Sequence, residues 1–218
     1  MDITYLGHSS FKIAGKVGTV VTDPYNEYVG FSMPKVAADV VTISHAHPDH
    51  NEVGRITATA RREKPFIISE LGEYEVAGIS VFGVKTFHDA HQGVERGINT
   101  VYTILIDGIR ICHLGDLGHE LTTDQLSEIG DVDVVLCPVG GHFTIDPVLA
   151  VKTINILEPS YAIPMHYRTD QHDDKVFSDL KTLQDFLTEY GAAPAPVAKL
   201  SVDKGKLPEE TELVVLQS

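Results

Sequence analysis

The sequence predicts an α+β fold in which mixed β-sheets are covered by helices. Short β-like runs alternate with helical runs in both halves of the 218 residues, and this alternation is typical of helices packed on sheets. Hairpin signals between some of the runs add antiparallel pairs to the parallel ones. Because 43% of the residues are hydrophobic, the chain can bury a sizeable core, and we expect one domain over residues 1–218.

Strands are predicted where short apolar or alternating runs end at turn residues. We expect a meander of opening strands over residues 3–23, a buried strand over 39–45 and a long strand over 79–88. A strand pair follows over residues 99–116, and a near-continuous apolar strand over 131–141. The dipeptide Asp107-Gly108 inside the pair indicates a two-residue hairpin turn. A short proline-rich connection then leads to a final strand pair.

Helices are predicted from their capping residues. Thr122 and Gln125 form a capping box, and Asp146, which is followed by proline, is a typical helix start. Apolar residues at helical spacing predict a single helix over residues 175–191. A further helix is expected over residues 51–60.

The composition excludes several classes of partner. The net charge of −14 disfavours nucleic acid, because phosphate binding needs clustered Lys and Arg. A small anionic substrate stays open, since bound cations can make a pocket locally positive. No apolar run reaches the roughly 18 residues of a membrane span, and no signal segment is recognisable, so we expect a cytoplasmic protein with no membrane partner. Cys112 and Cys137 lie in apolar runs, which indicates two buried thiols.

Histidines concentrate near the ends of predicted strands. Seven of the eleven histidines occupy such positions, namely His8, His45, His47, His50, His88, His142 and His166. The densest group is His45-x-His47-x-Asp49-His50. Side chains two apart in an extended segment point to the same side, so His45 and His47 can hold one ion while Asp49 and His50 face a second. Imidazole combined with carboxylate suits borderline divalent cations, and the pattern therefore predicts metal binding.

The motif H-x-H-x-D-H after a buried strand resembles the signature of the metallo-β-lactamase superfamily. The segments YLGHSSFKI, TDPY, FHDAHQGVERGINT, ICHLGDLG, PVGGHFTID and IPMHY are similar, in the same order, to those of the branch that contains ascorbate-6-phosphate lactonase. The resemblance covers the whole chain. It implies a four-layer αββα sandwich, in which two mixed β-sheets lie face to face with helices on the outer faces.

The same resemblance implies a dinuclear metal site. The first ion would be held by His45, His47 and His88. The second ion would be held by Asp49, His50 and His166, and Asp116 would bridge the two ions. The two divalent ions would be zinc, with manganese or iron as alternatives, because histidine and carboxylate accept all three. Gly115 and Gly118 on either side of Asp116 would let its side chain approach metals without crowding.

The activity implied is hydrolysis of a small-molecule ester, lactone or phosphodiester by a hydroxide held between two metal ions, and the lactonase-like branch favours a lactone. Asp49 would orient the attacking oxygen, while His8 and His142 would stabilise an oxyanion or protonate the leaving group. The alternatives are a metal-dependent oxidoreductase acting on thiols or oxygen, and an inert metal-binding module. His47, where the oxygen-reducing branch carries glutamate, and Asp116, where many β-lactamases carry cysteine, disfavour oxygen reduction and antibiotic hydrolysis.

Residues around the ligands carry further expectations. Asp23 can accept a hydrogen bond from a ligand histidine, and Asp89 can orient its loop. Arg96 can clamp a carboxylate or phosphate, or form a surface salt bridge. His88 is preferred over His91 as a ligand because it directly follows a strand. No role is expected for His91, His113, His119 and His172, and an assembly of identical chains stays open.

Overall fold

The structure is a computed structural model that describes residues 1–217. Its strands are β1 (Asp2–Gly7), β2 (Ser10–Ala14), β3 (Thr19–Thr22), β4 (Val36–Ala38), β5 (Val40–Thr42), β6 (Ile56–Ala58), β7 (Phe66–Ile68), β8 (Gly72–Val76), β9 (Ile79–Phe87), β10 (Ile98–Ile106), β11 (Ile109–His113), β12 (Val134–Pro138), β13 (Tyr161–Met165), β14 (Leu200–Ser201) and β15 (Glu212–Leu213). The α-helices are α1 (Thr123–Ile129), α2 (Pro147–Leu157), α3 (Asp174–Phe177) and α4 (Leu183–Tyr190), and 3₁₀ turns lie at Glu27–Val29, Val53–Arg55 and Lys204–Lys206.

Two mixed sheets dominate the fold. The first has the strand order β14-β1-β2-β3-β5-β7, in which β3, β5 and β7 are parallel and the other neighbours antiparallel. The second has the order β15-β13-β12-β11-β10-β9-β8, in which β11, β12, β13 and β15 are parallel and β8 to β11 are antiparallel. A short parallel pair, β4 with β6, packs beside β3.

The sheets pack face to face around one apolar core. Val20 and Val40 of the first sheet are buried in the same cluster as Ile104 of the second. Their neighbours Val21 and Val41 point to the opposite side, as alternation along a strand requires, and are buried in a second cluster on the outer face of the first sheet. These strands therefore read as continuous apolar runs because both of their faces are covered.

Helices cover the outer faces. On the second sheet, α1 packs on β9, α2 packs on β12, and α4 packs on α2. On the first sheet, Phe177 of α3 contributes to the second apolar cluster. The predicted α+β sandwich of mixed sheets is confirmed, and the expectation of a single domain over residues 1–218 stays a prediction. No helix within residues 1–217 is long and apolar enough to cross a membrane.

Local signals with a clear mechanism are confirmed. Asp107 and Gly108 both have positive φ and join β10 to β11 with Ile106 opposite Ile109, the geometry of a type I′ hairpin turn. The capping box of Thr122 and Gln125 begins α1, and the Asp146 side chain caps α2.

The helix predicted over residues 51–60 is wrong. This segment forms a 3₁₀ turn and then β6, which pairs with β4. Ile56 is buried in the second apolar cluster. It is a β-branched residue with only moderate helix propensity, and its backbone pairs with β4. Tertiary burial therefore overrides the local signal.

The single helix predicted over residues 175–191 is split into α3 and α4. Thr182 begins α4 through a capping box with Asp185. Between the two helices, Leu180 packs into the second apolar cluster, whereas Phe186 of α4 packs into the main core. Because of this break, Leu180 can pack on the outer face of the first sheet while Phe186 packs into the main core. The final strands do not form a pair with each other, because β14 joins β1 and β15 joins β13.

Candidate metal centre

The seven predicted ligands follow the carboxyl ends of four strands. The loop after β5 in the first sheet carries His45, His47, Asp49 and His50, and the ends of β9, β11 and β13 in the second sheet carry His88, Asp116 and His166. Strand ends hold such side chains more rigidly than free loops do. Both sheets therefore contribute to one site between them.

Two groups of candidate ligand atoms lie side by side, the atoms of each within 4.8 Å of one another: His45, His47 and His88 in the first, and His8, Asp49, His50 and His166 in the second. Asp116 lies between the groups. Its Oδ2 is 3.2 Å from Nε2 of His88, 3.3 Å from Nε2 of both His50 and His166, and 3.9 Å from Nε2 of His45. One carboxylate oxygen thus faces both groups.

Asp23 orients two of these histidines from behind. Its Oδ2 accepts hydrogen bonds from Nδ1 of His50 at 2.9 Å and from Oγ of Ser44 at 2.5 Å. The Ser44 hydroxyl, having donated to Asp23, accepts one from Nδ1 of His45 at 2.9 Å. Both imidazoles therefore carry a hydrogen on Nδ1, and their Nε2 atoms face Asp116. The contact expected of Asp23 is present.

Two buried carboxylates of the site are held in the ionised form. Burial disfavours the charge of Asp116, but the neighbouring His166 and His50 hold the pKa of its carboxyl well below the usual range. Burial also disfavours the charge of Asp23, but the effects of His113 and His50 outweigh the effect of burial. The pKa of the Asp23 carboxyl is therefore lowered. Buried negative charges of this kind need cations nearby.

Several buried polar atoms at the centre have no hydrogen-bond partner within residues 1–217. They are Nε2 of His45, Nε2 of His50, Nδ1 of His88, both ring nitrogens of His166 and Oδ1 of Asp116. Leaving one buried polar atom without a partner costs about 1–3 kcal/mol, so a cluster of them calls for an explanation. Imidazole nitrogens and a carboxylate are the donors that zinc and related ions prefer, and the residues present fit divalent metal ions.

His8 lies behind Asp49, where it is fully buried. Its Nε2 is 3.2 Å from Oδ2 of Asp49, and its Nδ1 is 3.3 Å from Nε2 of His172. The backbone nitrogen of Thr169 donates to Nδ1 of His172 at 3.1 Å. This bond places the hydrogen of His172 on Nε2 and, in turn, the hydrogen of His8 on its own Nε2. A directional chain of hydrogen bonds therefore leads from Thr169 to Asp49.

The hydrogen-bond chain changes the role expected for His8. Both of its ring nitrogens are engaged, so it has no N–H left for an oxyanion or a leaving group. Burial lowers the pKa of His8 to about 4 and that of His172 to about 3, which leaves both rings neutral at pH 7. The geometry supports His8 as a residue that positions Asp49, and His172 as the residue that fixes His8.

Other residues singled out in the sequence lie away from the ligand groups. His142 is exposed after β12, where its ring meets the ring of Phe143 at a centroid distance of 4.4 Å, and its role in proton transfer stays a prediction. His91 is exposed and bonded through Nδ1 to Glu95 at 2.6 Å.

Two glycines let the loop after β11 approach its neighbours. Gly115 has a φ of 55°, and a Cβ there would collide with the side chain of Asn99, which accepts a hydrogen bond from the backbone of Asp116 at 2.9 Å. Gly118 lies against the backbone of His88, where a Cβ would stand 2.5 Å from the carbonyl oxygen. The sequence indicated that both glycines leave room for Asp116. In the structure, Gly115 leaves room for the side chains of Asn99 and Ser44, and Gly118 leaves room for the backbone of His88.

A cleft of about 340 Å³ opens onto both ligand groups, a volume suited to a small molecule. Five candidate ligands form its floor, namely His47, Asp49, His88, Asp116 and His166. The side chain of Asp49 is 13% exposed, so it can reach a bound molecule while His8 holds it from behind.

Comparisons with known proteins identify the family of this chain. Residues 2–166 match a family model described as a β-lactamase superfamily domain. A crystal structure from Thermotoga maritima, described as a Zn-dependent hydrolase of the metallo-β-lactamase superfamily, is 36% identical and has a TM-score of 0.79 over 99% of this chain and 97% of that chain. The chain belongs to the metallo-β-lactamase superfamily. The resemblance to this superfamily, inferred from the sequence, is confirmed.

Other proteins similar to this chain differ in what they are named for. A UPF0173 metal-dependent hydrolase of Thermococcus onnurineus is 30% identical over an alignment that covers 78% of this chain and 85% of the relative. CmlA of Streptomyces venezuelae, a diiron β-hydroxylase, is 15% identical and has a TM-score of 0.56 over 76% of this chain and 44% of that chain. At that identity, the likeness to CmlA concerns the fold alone.

Some residues that support the candidate ligands could not be recognised from the sequence of this superfamily member. Ser44 and Asn99 look like ordinary strand-end residues, and His172 lies 164 residues from His8 in sequence. Their roles depend on contacts between distant loops, which no local pattern encodes.

Proposed function

We propose that this superfamily member is a metal-dependent hydrolase that cleaves an ester, lactone or phosphodiester bond of a small molecule. The observation that carries the proposal is the position of Asp116, whose Oδ2 lies within 3.9 Å of histidine nitrogens from both ligand groups. A carboxylate between two histidine groups, on the floor of a cleft, suits a pair of divalent ions that act on one bound molecule.

The residues divide into ligands and supports. The ions would be held by His45, His47 and His88, by Asp49, His50 and His166, and by Asp116 between them. Zinc is the first candidate, with manganese or iron as alternatives, and such ions supply Lewis acidity that polarises the bond under attack and acidifies water. Asp49, fixed by the N–H of His8, orients the attacking water. Asp23 and Ser44 keep His50 and His45 in the tautomer that faces the ions.

The substrate class follows from the cleft and from the charge of the chain. A volume of about 340 Å³ suits a small molecule, and the net charge of −14 opposes contact with nucleic acid. Among the three bond types, the sequence resemblance favours a lactone. We place the protein in the cytoplasm without a membrane partner, and an assembly of identical chains is compatible with this function.

Metal analysis followed by a hydrolysis screen tests the proposal. Protein purified without added metal should carry close to two transition-metal ions per chain, as measured by inductively coupled plasma mass spectrometry. The zinc-reloaded protein should then hydrolyse at least one member of a panel of lactones, para-nitrophenyl esters and phosphodiesters. Asp116→Ala should abolish turnover, and the exposed-site control Asp131→Ala should retain it.

Three outcomes would contradict parts of the proposal. A single fully occupied ion would remove the dinuclear assignment. Tightly held iron with oxygen uptake would favour an oxidoreductase. Two bound ions without turnover on any member of the panel would favour an inert metal-binding module.

A further inference from the structure

The cleft above the candidate ligands is lined by apolar side chains and by the cationic side chain of Arg96. Tyr28, Phe143, Val176 and Phe177 form its apolar wall, and Arg96 is the one permanently cationic side chain among the lining residues in the described part of the chain. A few polar groups in a mostly apolar pocket fix the orientation of a ligand and provide specificity. This wall therefore suits a ligand with an apolar body and an anionic group.

Arg96 is held at the wall while its hydrogen-bond donors stay free. The carbon of its guanidinium lies 5.7 Å from the ring centroid of Phe143, a distance typical of a cation–π contact. The carboxylate of Glu95 forms an ion pair with Nη1 at 3.6 Å, the salt bridge that the sequence left open. This distance is too long for a hydrogen bond, and the other oxygen of Glu95 is bonded to His91. The guanidinium has no hydrogen-bond acceptor among residues 1–217, so its N–H groups are available to a ligand.

The loop that carries Arg96 is organised by one carboxylate. Oδ1 of Asp89 accepts backbone hydrogen bonds from His91 at 2.7 Å and Gly93 at 2.9 Å. Oδ2 accepts them from Glu95 at 3.0 Å and from Arg96 itself at 2.8 Å. Four bonds to one side chain fix the connection between β9 and β10. Arg96 therefore has a defined place beside the cleft, and Asp89 is a positioning residue for it.

We propose that Arg96 binds a carboxylate of the substrate, and that the substrate is an ester or lactone with one carboxylate on an apolar body. This inference rests on the proposed hydrolase function and adds the class of molecule. The N–H donors of the guanidinium are free although Glu95 lies beside it, and its planar fork matches the two oxygens of a carboxylate. The apolar wall at Phe143 and Phe177 disfavours a polyhydroxylated sugar acid. In a chain of net charge −14, an anion needs such a local positive group.

A pair of esters that differ in one charge tests the role of Arg96 in the zinc-loaded protein. Para-nitrophenyl butyrate is neutral, and mono-para-nitrophenyl glutarate carries a carboxylate at the far end of a similar chain. The wild type should have the higher kcat/KM for the glutarate. Arg96→Met should lower that value roughly 10- to 100-fold, mainly through KM, the size expected for a charge-assisted hydrogen bond. It should leave the butyrate nearly unchanged.

Two further variants control the experiment. Arg96→Lys keeps the charge without the fork and should give an intermediate preference for the glutarate. Arg62→Met removes the same charge from the segment before β7, outside the cleft, and should behave like the wild type. Equal loss of preference in Arg62→Met would show that only the overall charge of the protein matters, and would overturn the proposal.

A binding measurement separates this proposal from the hydrolase function. Isothermal titration of the zinc-loaded protein with phenylbutyrate and with the neutral phenylbutanol should show tighter binding of the anion, and Arg96→Met should lose most of the difference. If the anion binds more tightly through Arg96 but neither ester is cleaved, the proposal that Arg96 binds a carboxylate is supported. The proposal that the protein hydrolyses such esters is then contradicted. If the wild type shows no preference for the anion, or Arg96→Met keeps it, the proposal is wrong whatever the esterase activity.

Discussion

Replacing Gly118 with alanine tests whether the position of His88 depends on close contact with the loop after β11. A Cβ at residue 118 would stand 2.5 Å from the carbonyl oxygen of His88, and two more backbone atoms of this segment lie closer still. The shortest of these contacts would be 2.3 Å, and real Cβ atoms essentially never approach within 3.0 Å, so the two backbones must separate by about 0.7 Å. The backbone of Gly118 is not in the left-handed region, so the effect of alanine is steric.

A movement of this size exceeds what a metal site tolerates, since ligand distances hold within about 0.2 Å. We expect the zinc affinity of the His45, His47 and His88 group to fall by roughly 10- to 100-fold, as for other losses of ligand support. The crowding should also lower the free energy of unfolding by about 1–3 kcal/mol, which leaves the protein folded in buffer.

Competition with a chromogenic chelator measures the zinc affinity, and circular dichroism with urea titration verifies the fold. Gly205→Ala is the matched control, because its Cβ would meet only Oδ1 of Asp203 at 3.6 Å, an ordinary contact. If folded Gly118→Ala binds zinc as tightly as Gly205→Ala, then the loops can separate without cost to the site and the reasoning is refuted.

Three other predictions concern the bridging carboxylate, the hydrogen-bond chain and the thiols. Asp116→Ala should lower the metal content at both positions and cost more metal than His50→Ala in the same analysis, and retention of two ions would contradict the bridging role. His172→Phe keeps an aromatic ring but removes the donor to His8, so hydrolysis should fall roughly tenfold with metal content unchanged, and a wild-type rate would speak against the chain. Burial raises the pKa of Cys112 to about 12 and that of Cys137 further, so neither thiol should react with a disulfide reagent at pH 8 until urea unfolds the protein. Because the unfolded thiols ionise near pH 8.5 while the native ones keep their protons, the free energy of unfolding should also decrease as the pH rises above that value, and a rapidly reacting native thiol would contradict both expectations.

The candidate ligands, which stay a prediction, could be singled out from the sequence because a local pattern marks their places. His45 and His47 share one side of an extended segment, and His88 directly follows a run that reads as a strand. The helix starts at Thr122 and Asp146 could be predicted for the same reason, since caps depend on residues within a few positions of each other.

The failures of prediction arise where distant contacts decide the outcome. Ile56 lies in a segment that looks helical, but it is buried in a strand paired with β4. His8 looked like a proton donor because the sequence does not reveal that His172 takes up one of its nitrogens from 164 residues away. The number and identity of the metal ions stay predictions, because the same donor atoms accept several ions.

The pairing of β14 with β1 has a consequence for the order in which the protein can be completed on the ribosome. Asp2 lies opposite Ser201, and the backbone nitrogens of Met1 and Val202 each donate to the carbonyl oxygen of the other at 2.8 Å. At a synthesis rate of about 5–20 residues per second, the outer edge of β1 therefore waits roughly 10–40 s for its partner. All seven candidate ligands, from His45 to His166, leave the ribosome before that partner does. A nascent chain can thus gather its metal ions while an open strand edge still exposes it to pairing with a neighbouring chain, and we expect metal supply during translation to influence the soluble yield.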